Sequence, residues 1–238
     1  LTADASFGDL LELTLYNGFL SGCGSDGRTF FYMNPLESDG EHRRQEWFHV
    51  ACCPTNATRL TASIQRYIYL QDQRRLYVNL YVGSRGTFTL PDGGKLVLEQ
   101  QTDYPWKGNV DLTVRCEGSE SAEILVRLPS WCRSHSLLLN DEALSGQAIT
   151  TKRGYLSIDR RWKNGDRVSL RLDMPVEKIR ANPKVEADLG QLSLRRGPLV
   201  YCIEGADNNL PLEEIVIPST AEFREHRFED VEPGAIAL

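Results

Sequence analysis

The sequence predicts an α + β protein: a helical segment to residue 70, packed β-sheet from 71 to 182, and a second β region from 183 to 238. Three observations predict it. Residues 7–20 are apolar nearly all round, with Phe7, Leu10, Leu11, Leu13, Leu15, Tyr16, Phe19 and Leu20. After Pro54, the residues Ala57, Leu60, Ile64, Tyr67 and Ile68 recur at helical spacing. From Leu76 onward, short runs alternate apolar and polar residues, with turn residues between them.

The first helix meets natural stop signals at Gly22 and Gly24. A helix apolar on most sides needs cover on most sides, and few other helices in this sequence could supply it. A segment preceding residue 1 is therefore expected to be missing. Residues 23–51 read as a long connection, with a turn at Ser25-Asp26-Gly27, a short strand at Thr29–Met33 and a charged, exposed loop from Glu37 to Glu46 that includes Asp39 and Glu41. Loops of that length are often functional. The second helix is predicted over Pro54–Leu70, with Pro54 at the first helical position, where its missing N–H costs nothing.

Strands follow at Leu76–Val82, Thr87–Leu90, Lys95–Glu99, Val110–Val114, Glu123–Leu128, Leu137–Leu139, Tyr155–Ile158 and Arg167–Leu172. Asp92-Gly93-Gly94, Asn140-Asp141 and Lys163-Asn164-Gly165-Asp166 are the turns between them. Many short strands parted by turn residues predict a β-sandwich. The second β region takes in Gln191–Leu194 and Leu199–Ile203; its pattern weakens after Glu204, and Phe223–Glu232 is heavily charged.

A net charge of −6 argues against nucleic acid or an anionic membrane as partner. No apolar run approaches a membrane span, and no signal-peptide pattern opens the sequence as given. Six cysteines in 238 residues are too few for a disulfide scaffold. Cys23, Cys116, Cys132 and Cys202 are scattered without metal-ligand spacing and read as reduced thiols, which points to a cytoplasmic setting.

Chemistry concentrates at Cys52-Cys53-Pro54. A helix beginning near Pro54 puts both thiols at its N-terminus, where the dipole and free N–H groups favour a thiolate. A thiolate is both a nucleophile and a soft metal ligand. Neighbouring cysteines do not readily bridge each other, because the ring is strained. On the triplet alone an inert pair of small buried hydrophobes is the simpler reading, and a zinc site needs about four ligands where this stretch supplies two.

Longer motifs change that weighting. Leu15-Tyr16-Asn17-Gly18, Phe30-Phe31-Tyr32-Met33-Asn34-Pro35-Leu36-Glu37 and Trp47-Phe48-His49-Val50-Ala51-Cys52-Cys53-Pro54-Thr55-Asn56 occur in that order. Gly154–Ile158, Trp162–Asp166, Met174-Pro175-Val176, Arg180–Pro183 and Arg196-Gly197-Pro198-Leu199-Val200-Tyr201-Cys202 follow. The set resembles the β-L-arabinofuranosidase family of glycoside hydrolases over nearly the whole chain. The resemblance implies the end of an (α/α)6 catalytic barrel followed by β-sandwich domains. It implies a retaining hydrolysis in which Cys52 and Cys53 bind one zinc ion and one of them, Cys53 by position, is the nucleophile, with Cys52 as runner-up. It implies sugar contacts near Glu12 and Tyr32. His49, three residues before Cys52, is a candidate partner of the ligands or an ordinary surface histidine.

The family's other two zinc ligands come from an upstream Glu-x-Cys motif. Two residues before the six cysteines stand Ser21, Val50, Ala51, Val114, Ser130 and Val200, none of them glutamate. The acid/base glutamate is also upstream in the family. The chain is therefore expected to be a fragment with half a zinc site, acting on a carbohydrate only together with a missing upstream catalytic segment. Two other classes fit parts of the sequence: a non-catalytic β-sandwich that supports a barrel or binds carbohydrate, and a zinc or redox thiol protein built on the cysteine pair.

Overall fold

The computed structural model describes residues 3–34, 41–144, 149–205, 208–228 and 235–238. The expected loop positions Glu37 and Asp39, the motif residues Pro35 and Leu36, and the charged positions Glu229, Asp230 and Glu232 lie outside the described residues. The chain gathers into two compact units, Leu1–Leu15 with Val50–Met174 and Tyr16–His49 with Pro175–Leu238. Each unit draws on residues from before and after position 70, and position 182 falls inside the second unit.

The first unit is built on two sheets. One has the order β1 (Tyr69–Asp72), β2 (Arg75–Val78), β6 (Ser119–Arg127), β10 (Tyr155–Lys163), β9 (Thr150–Lys152). The other has the order β3 (Ser84–Thr89), β4 (Lys95–Thr102), β5 (Asn109–Cys116), β11 (Arg167–Leu172), β7 (His135–Leu139), β8 (Glu142–Ala143). All pairs are antiparallel except β2 with β6. The predicted alternation is what places the core. Leu96, Leu98, Val110, Leu112 and Val114 of one sheet and Ile124, Val126, Leu156, Ile158 and Trp162 of the other are buried, each worth about 1.5–3 kcal/mol in area removed from water. Tyr69 meets Phe88 edge to face across the sheets at 5.7 Å. Two predicted turns lock together: Asn140, at φ +51°, donates from Nδ2 to Asp166 Oδ1 at 2.9 Å.

Helix α1 spans Ala5–Thr14, with Asp4 as N-cap accepting from the Ser6 N–H at 3.0 Å. It is inside-out relative to its composition. Ala5, Gly8 and Glu12 form the buried stripe, while Phe7 and Leu10 are 65% and 62% exposed. Gly8 is needed for that approach: a Cβ there would lie 2.5 Å from Asn79 Oδ1 and 2.8 Å from Arg127 Cδ. The apolar face that the sequence expects to be covered has no cover among the described residues of this unit.

Helix α2 spans Cys52–Ser63 and runs into a 3₁₀ turn, Ile64–Tyr67. The sequence expects Pro54–Leu70, and both ends differ. Cys52 and Cys53 are themselves the first helical residues, so Pro54 is third; its missing N–H still costs nothing, since the first four helical N–H groups lack intrahelical partners. At the other end Tyr69 and Leu70 pair with Val78 and Tyr77, and strand pairing overrides the apolar helical spacing. These two are the only α-helices among the described residues, so no closed barrel of paired helices is formed by them.

In the second unit, β12 (Val176–Ile179), β13 (Ser193–Arg196) and β14 (Leu199–Tyr201) make one sheet, and β15 (His226–Phe228) pairs with β16 (Ala235–Ala237). Lys178 Nζ donates to the carbonyls of Pro218, Ser219 and Ala221 at 3.2, 2.8 and 3.0 Å, which uses all three of its protons. The segment after α1 passes through a π turn, Leu15–Phe19, and a 3₁₀ turn, Leu20–Gly22. The strand expected at Thr29–Met33 is reduced to isolated bridges, Phe30 with Cys23 and with Gln45. Side chains hold the segment instead: Arg44 Nη2 donates to Ser21 O at 2.6 Å and its guanidinium covers the Phe31 ring at 4.4 Å.

Candidate active site

The cysteine pair sits where the residues put it. Ala51 is the N-cap of α2, makes no side-chain capping bond, and the first turn carries no acidic residue. The N–H groups of Cys52 and Cys53 therefore head the helix with the positive end of its dipole unneutralised by a side chain. Thr55 Oγ1 and Asn56 Nδ2 turn back to the Cys52 carbonyl at 3.1 and 2.8 Å, which holds the first turn in shape. Cys52 is exposed, Cys53 is half-buried, and their sulfurs lie 3.6 Å apart without a disulfide between them. Cys23, Cys116, Cys132 and Cys202 are free as well.

Two effects oppose each other at Cys53. The helix end favours the thiolate, while partial desolvation, followed by the adjacent Cys52 sulfur, pushes the Cys53 thiol up from its ordinary value. Desolvation is the larger part, and the neighbouring sulfur adds to it because two thiolates this close would repel. A divalent cation reverses it, because a coordinated thiol is deprotonated outright. The spacing suits such an ion. At a Zn–S length of about 2.3 Å, two corners of a tetrahedron lie roughly 3.8 Å apart, close to the 3.6 Å observed. The donor set stops at two: among the described residues no group of three His, Cys, Asp or Glu side chains could hold a metal.

Tyr32 is 44% exposed and leans on Phe48, ring centroids 5.7 Å apart. Phe48 also meets Phe30 edge-on at 5.2 Å. His49, Glu41 and Glu46 are exposed. These residues belong to the second unit and Cys52 and Cys53 to the first.

Glu12 lies elsewhere in character. It is 1% exposed. Its Oε1 accepts from Tyr104 OH at 2.7 Å and from Arg127 Nη2, and its Oε2 accepts from Trp131 Nε1 at 3.3 Å and Arg127 Nη1 at 3.5 Å. Both oxygens are taken up, so contact with a sugar would require a donor to be displaced. Arg127 is fully enclosed; its Nη1 also donates to Asp9 Oδ1 at 2.6 Å and its Nε to the Asn79 carbonyl at 2.6 Å. Burial alone would push the guanidinium toward neutrality, and the Glu12 carboxylate more than offsets that. Sequence reasoning passed over this cluster. The signal available was an arginine in the apolar run Ile124-Leu125-Val126-Arg127-Leu128.

Comparison with known proteins covers almost the whole chain. Residues 1–66 match the model described as beta-L-arabinofuranosidase, GH127 catalytic domain; residues 75–174 the GH127 middle domain; and residues 176–231 the glycoside hydrolase family 127 C-terminal domain. A non-reducing end beta-L-arabinofuranosidase of Bifidobacterium longum subsp. longum is 36% identical over an alignment of 225 residues that covers 87% of this chain and 33% of the relative. The crystal structure of a GH127 beta-L-arabinofuranosidase from Geobacillus stearothermophilus T6 superposes with a TM-score of 0.90 at 42% identity, covering 96% of this chain and 38% of that one. A further GH127 beta-arabinofuranosidase structure gives 0.90 at 36% identity, with the same coverage. The chain thus spans 33–38% of the length of these relatives. Among the described residues no helix is long and apolar enough to cross a membrane.

Proposed function

Because this chain belongs to glycoside hydrolase family 127, we propose that it is the part of a retaining β-L-arabinofuranosidase that carries the cysteine nucleophile. One observation carries the proposal: two reduced thiols 3.6 Å apart at the start of α2, where no side chain caps the helix, inside the region that matches the catalytic-domain model. In this reading α1 and α2 are the end of an (α/α)6 barrel, and the bare apolar face of α1 packs against a preceding catalytic segment.

Cys52 and Cys53 would hold a zinc ion, which supplies charge to keep both sulfurs ionised. The α2 N–H groups add to that stabilisation, and Thr55 and Asn56 keep the turn rigid. Cys53 Sγ attacks the anomeric carbon as the glycosidic C–O bond breaks, and the leaving oxygen takes a proton from an acid outside this chain. Water then attacks the same carbon, the C–S bond breaks, and the sugar leaves with its configuration retained after two inversions. Sulfur takes the place of the usual carboxylate. Tyr32 is the proposed sugar contact of this chain. Glu12 is assigned that contact only by resemblance, and its enclosed carboxylate favours a holding role.

Ligand counting sets the test. Two thiolates are half of a tetrahedral site, and loss of acid assistance alone costs roughly 10²–10⁴-fold in rate. The 238-residue chain should therefore bind zinc weakly and hydrolyse an aryl β-L-arabinofuranoside almost not at all, while a longer chain with the upstream segment does both. Metal analysis and hydrolysis are measured for both chains and for Cys53→Ser and Cys52→Ser. Full activity from the short chain would refute the need for the upstream half, and activity surviving Cys53→Ser in the long chain would remove Cys53 as nucleophile.

A further inference from the structure

Two motifs far apart in sequence meet at Asn17. Among the described residues strand β14 is the edge of its three-stranded sheet, and on the side away from β13 the chain here presents the Val200 N–H and, from the residue before the strand, the Pro198 carbonyl. Asn17 Nδ2 donates to Pro198 O at 2.8 Å, and Asn17 Oδ1 accepts from Val200 N–H at 2.8 Å. One side-chain amide thereby does what the peptide unit of a neighbouring strand would do: it takes an acceptor at residue i and a donor at residue i+2 of an edge. An asparagine after a helix ordinarily bonds its own helix end. Here both of these bonds go to residues 181 and 183 positions away. The π turn Leu15–Phe19 carries the amide, and single π turns recur at functional sites. The Asn17 carbonyl accepts from Ser21 Oγ at 2.7 Å, and the Ser21 carbonyl accepts from Arg44 at 2.6 Å, so the tie is continued to within a few residues of Phe48.

We propose that Asn17 is a positioning residue: it fixes the segment Tyr16–His49, which carries Tyr32, the proposed sugar contact, onto the edge of the C-terminal sheet. Tyr32 leans on Phe48 within that same segment. The structural part stands on the two hydrogen bonds. The catalytic part rests on the function proposed above.

The structural part is tested by hydrogen exchange read by mass spectrometry on the 238-residue chain. Two net hydrogen bonds correspond to an opening equilibrium shifted on the order of ten- to a hundredfold. Asn17→Ala should speed exchange by that factor in peptides covering 16–34 and 197–202, and leave β5 and β6 unchanged. Asn17→Asp keeps the acceptor for Val200 N–H and turns an oxygen toward Pro198 O, so it should fall between. Val200→Pro deletes the N–H from the other side, at an edge where proline is tolerated, and should behave like Asn17→Asp. Unchanged exchange in Asn17→Ala overturns the tie, and so does a uniform rise that includes β5 and β6. The catalytic part is tested in the longer chain with an aryl β-L-arabinofuranoside. Asn17→Ala should raise KM roughly tenfold, as a displaced binding element does, with kcat within about twofold. An unchanged KM, or a loss confined to kcat, overturns positioning. If the longer chain with Asn17 intact does not hydrolyse the substrate, the proposed function fails, and the exchange experiment still decides the tie.

Discussion

Replacing Glu12 by alanine should destabilise the first unit by about 3–5 kcal/mol, the usual cost of stranding one charge of a buried pair. The magnitude follows from what Arg127 has left. Its side chain is 0% exposed, so water does not replace the lost carboxylate. Asp9 remains at 2.6 Å, with its own side chain 18% exposed, and offers partial compensation. Tyr104 OH and Trp131 Nε1 lose their acceptor at the same time, each worth about 1–3 kcal/mol if left unsatisfied; these losses share one site and do not add. Glu12→Gln keeps an acceptor for Tyr104 and should cost roughly half as much. Glu12→Leu combined with Arg127→Met removes both charges and should recover most of the loss, since replacing a buried pair with apolar groups is often neutral. The assay is urea unfolding followed by tryptophan fluorescence in a Trp47→Phe background, where Trp106, Trp131 and Trp162 all report the first unit. Glu12→Ala within about 1 kcal/mol of the parent, or a double variant no more stable than Glu12→Ala, would refute the reasoning.

Three further outcomes are expected. Burial raises the Asp166 carboxyl, but bonds from Asn140 and the Lys163 N–H outweigh it and hold the group below the usual carboxylate range. A depressed folded value means stability present above the unfolded pKa of about 3.9 and lost as pH falls through the folded one; Asp166→Asn should cost about 1–2 kcal/mol at pH 7, and urea titrations should show the gap to the parent closing in strong acid. Alkylation of zinc-free Cys53 by iodoacetamide should stay slow at neutral pH and rise through the alkaline range, because its thiol is pushed up; Cys52→Ser should speed it at pH 8, and no change would show that the neighbouring sulfur is not part of the cause. Phe7 and Leu10 are bare, so Phe7→Ser with Leu10→Ser should shift size-exclusion profiles of the chain toward monomer, and an unchanged profile would mean that this face does not drive association.

The two sheets of the first unit were legible because their strands obey a local rule. In β4 and β5 every second residue is buried, and the turns at Asp92–Gly94, Asn140-Asp141 and Lys163–Asp166 carry residues suited to positive φ. The end of α2 was not legible from apolar spacing. Ile64, Tyr67 and Ile68 fit a helical face, yet Tyr67-Ile68-Tyr69 is also a run of β-branched and aromatic residues. The deciding contact, Tyr69 and Leu70 against Val78 and Tyr77 across a turn with Gln73 at φ +54°, lies outside any helical window. The cysteine pair was legible at the level of placement, since a helix start needs only local residues, and the offset of two residues at Pro54 leaves both thiols in the first turn.

The buried charges of α1 were illegible for a different reason, and they change how the chain divides. Composition gives α1 an apolar exterior and two acids, Asp9 and Glu12, that belong outside by any local rule. Their partner is Arg127 in β6, more than a hundred residues on, and only the pairing makes burial of either side affordable. The pair joins a helix that matches the catalytic-domain model to a strand that matches the middle-domain model. Those two regions are consecutive as sequence and inseparable as structure: a middle domain cut off near residue 75 would keep Arg127, Tyr104 and Trp131 facing an emptied site with no carboxylate to answer them. The pair of sheets is therefore no detachable module. Its interior is completed by the helix, which is held to the sheet by the Glu12–Arg127 pair and by Ala5 packed against Tyr77, Leu125 and Tyr155, and so presents its larger apolar side chains outward.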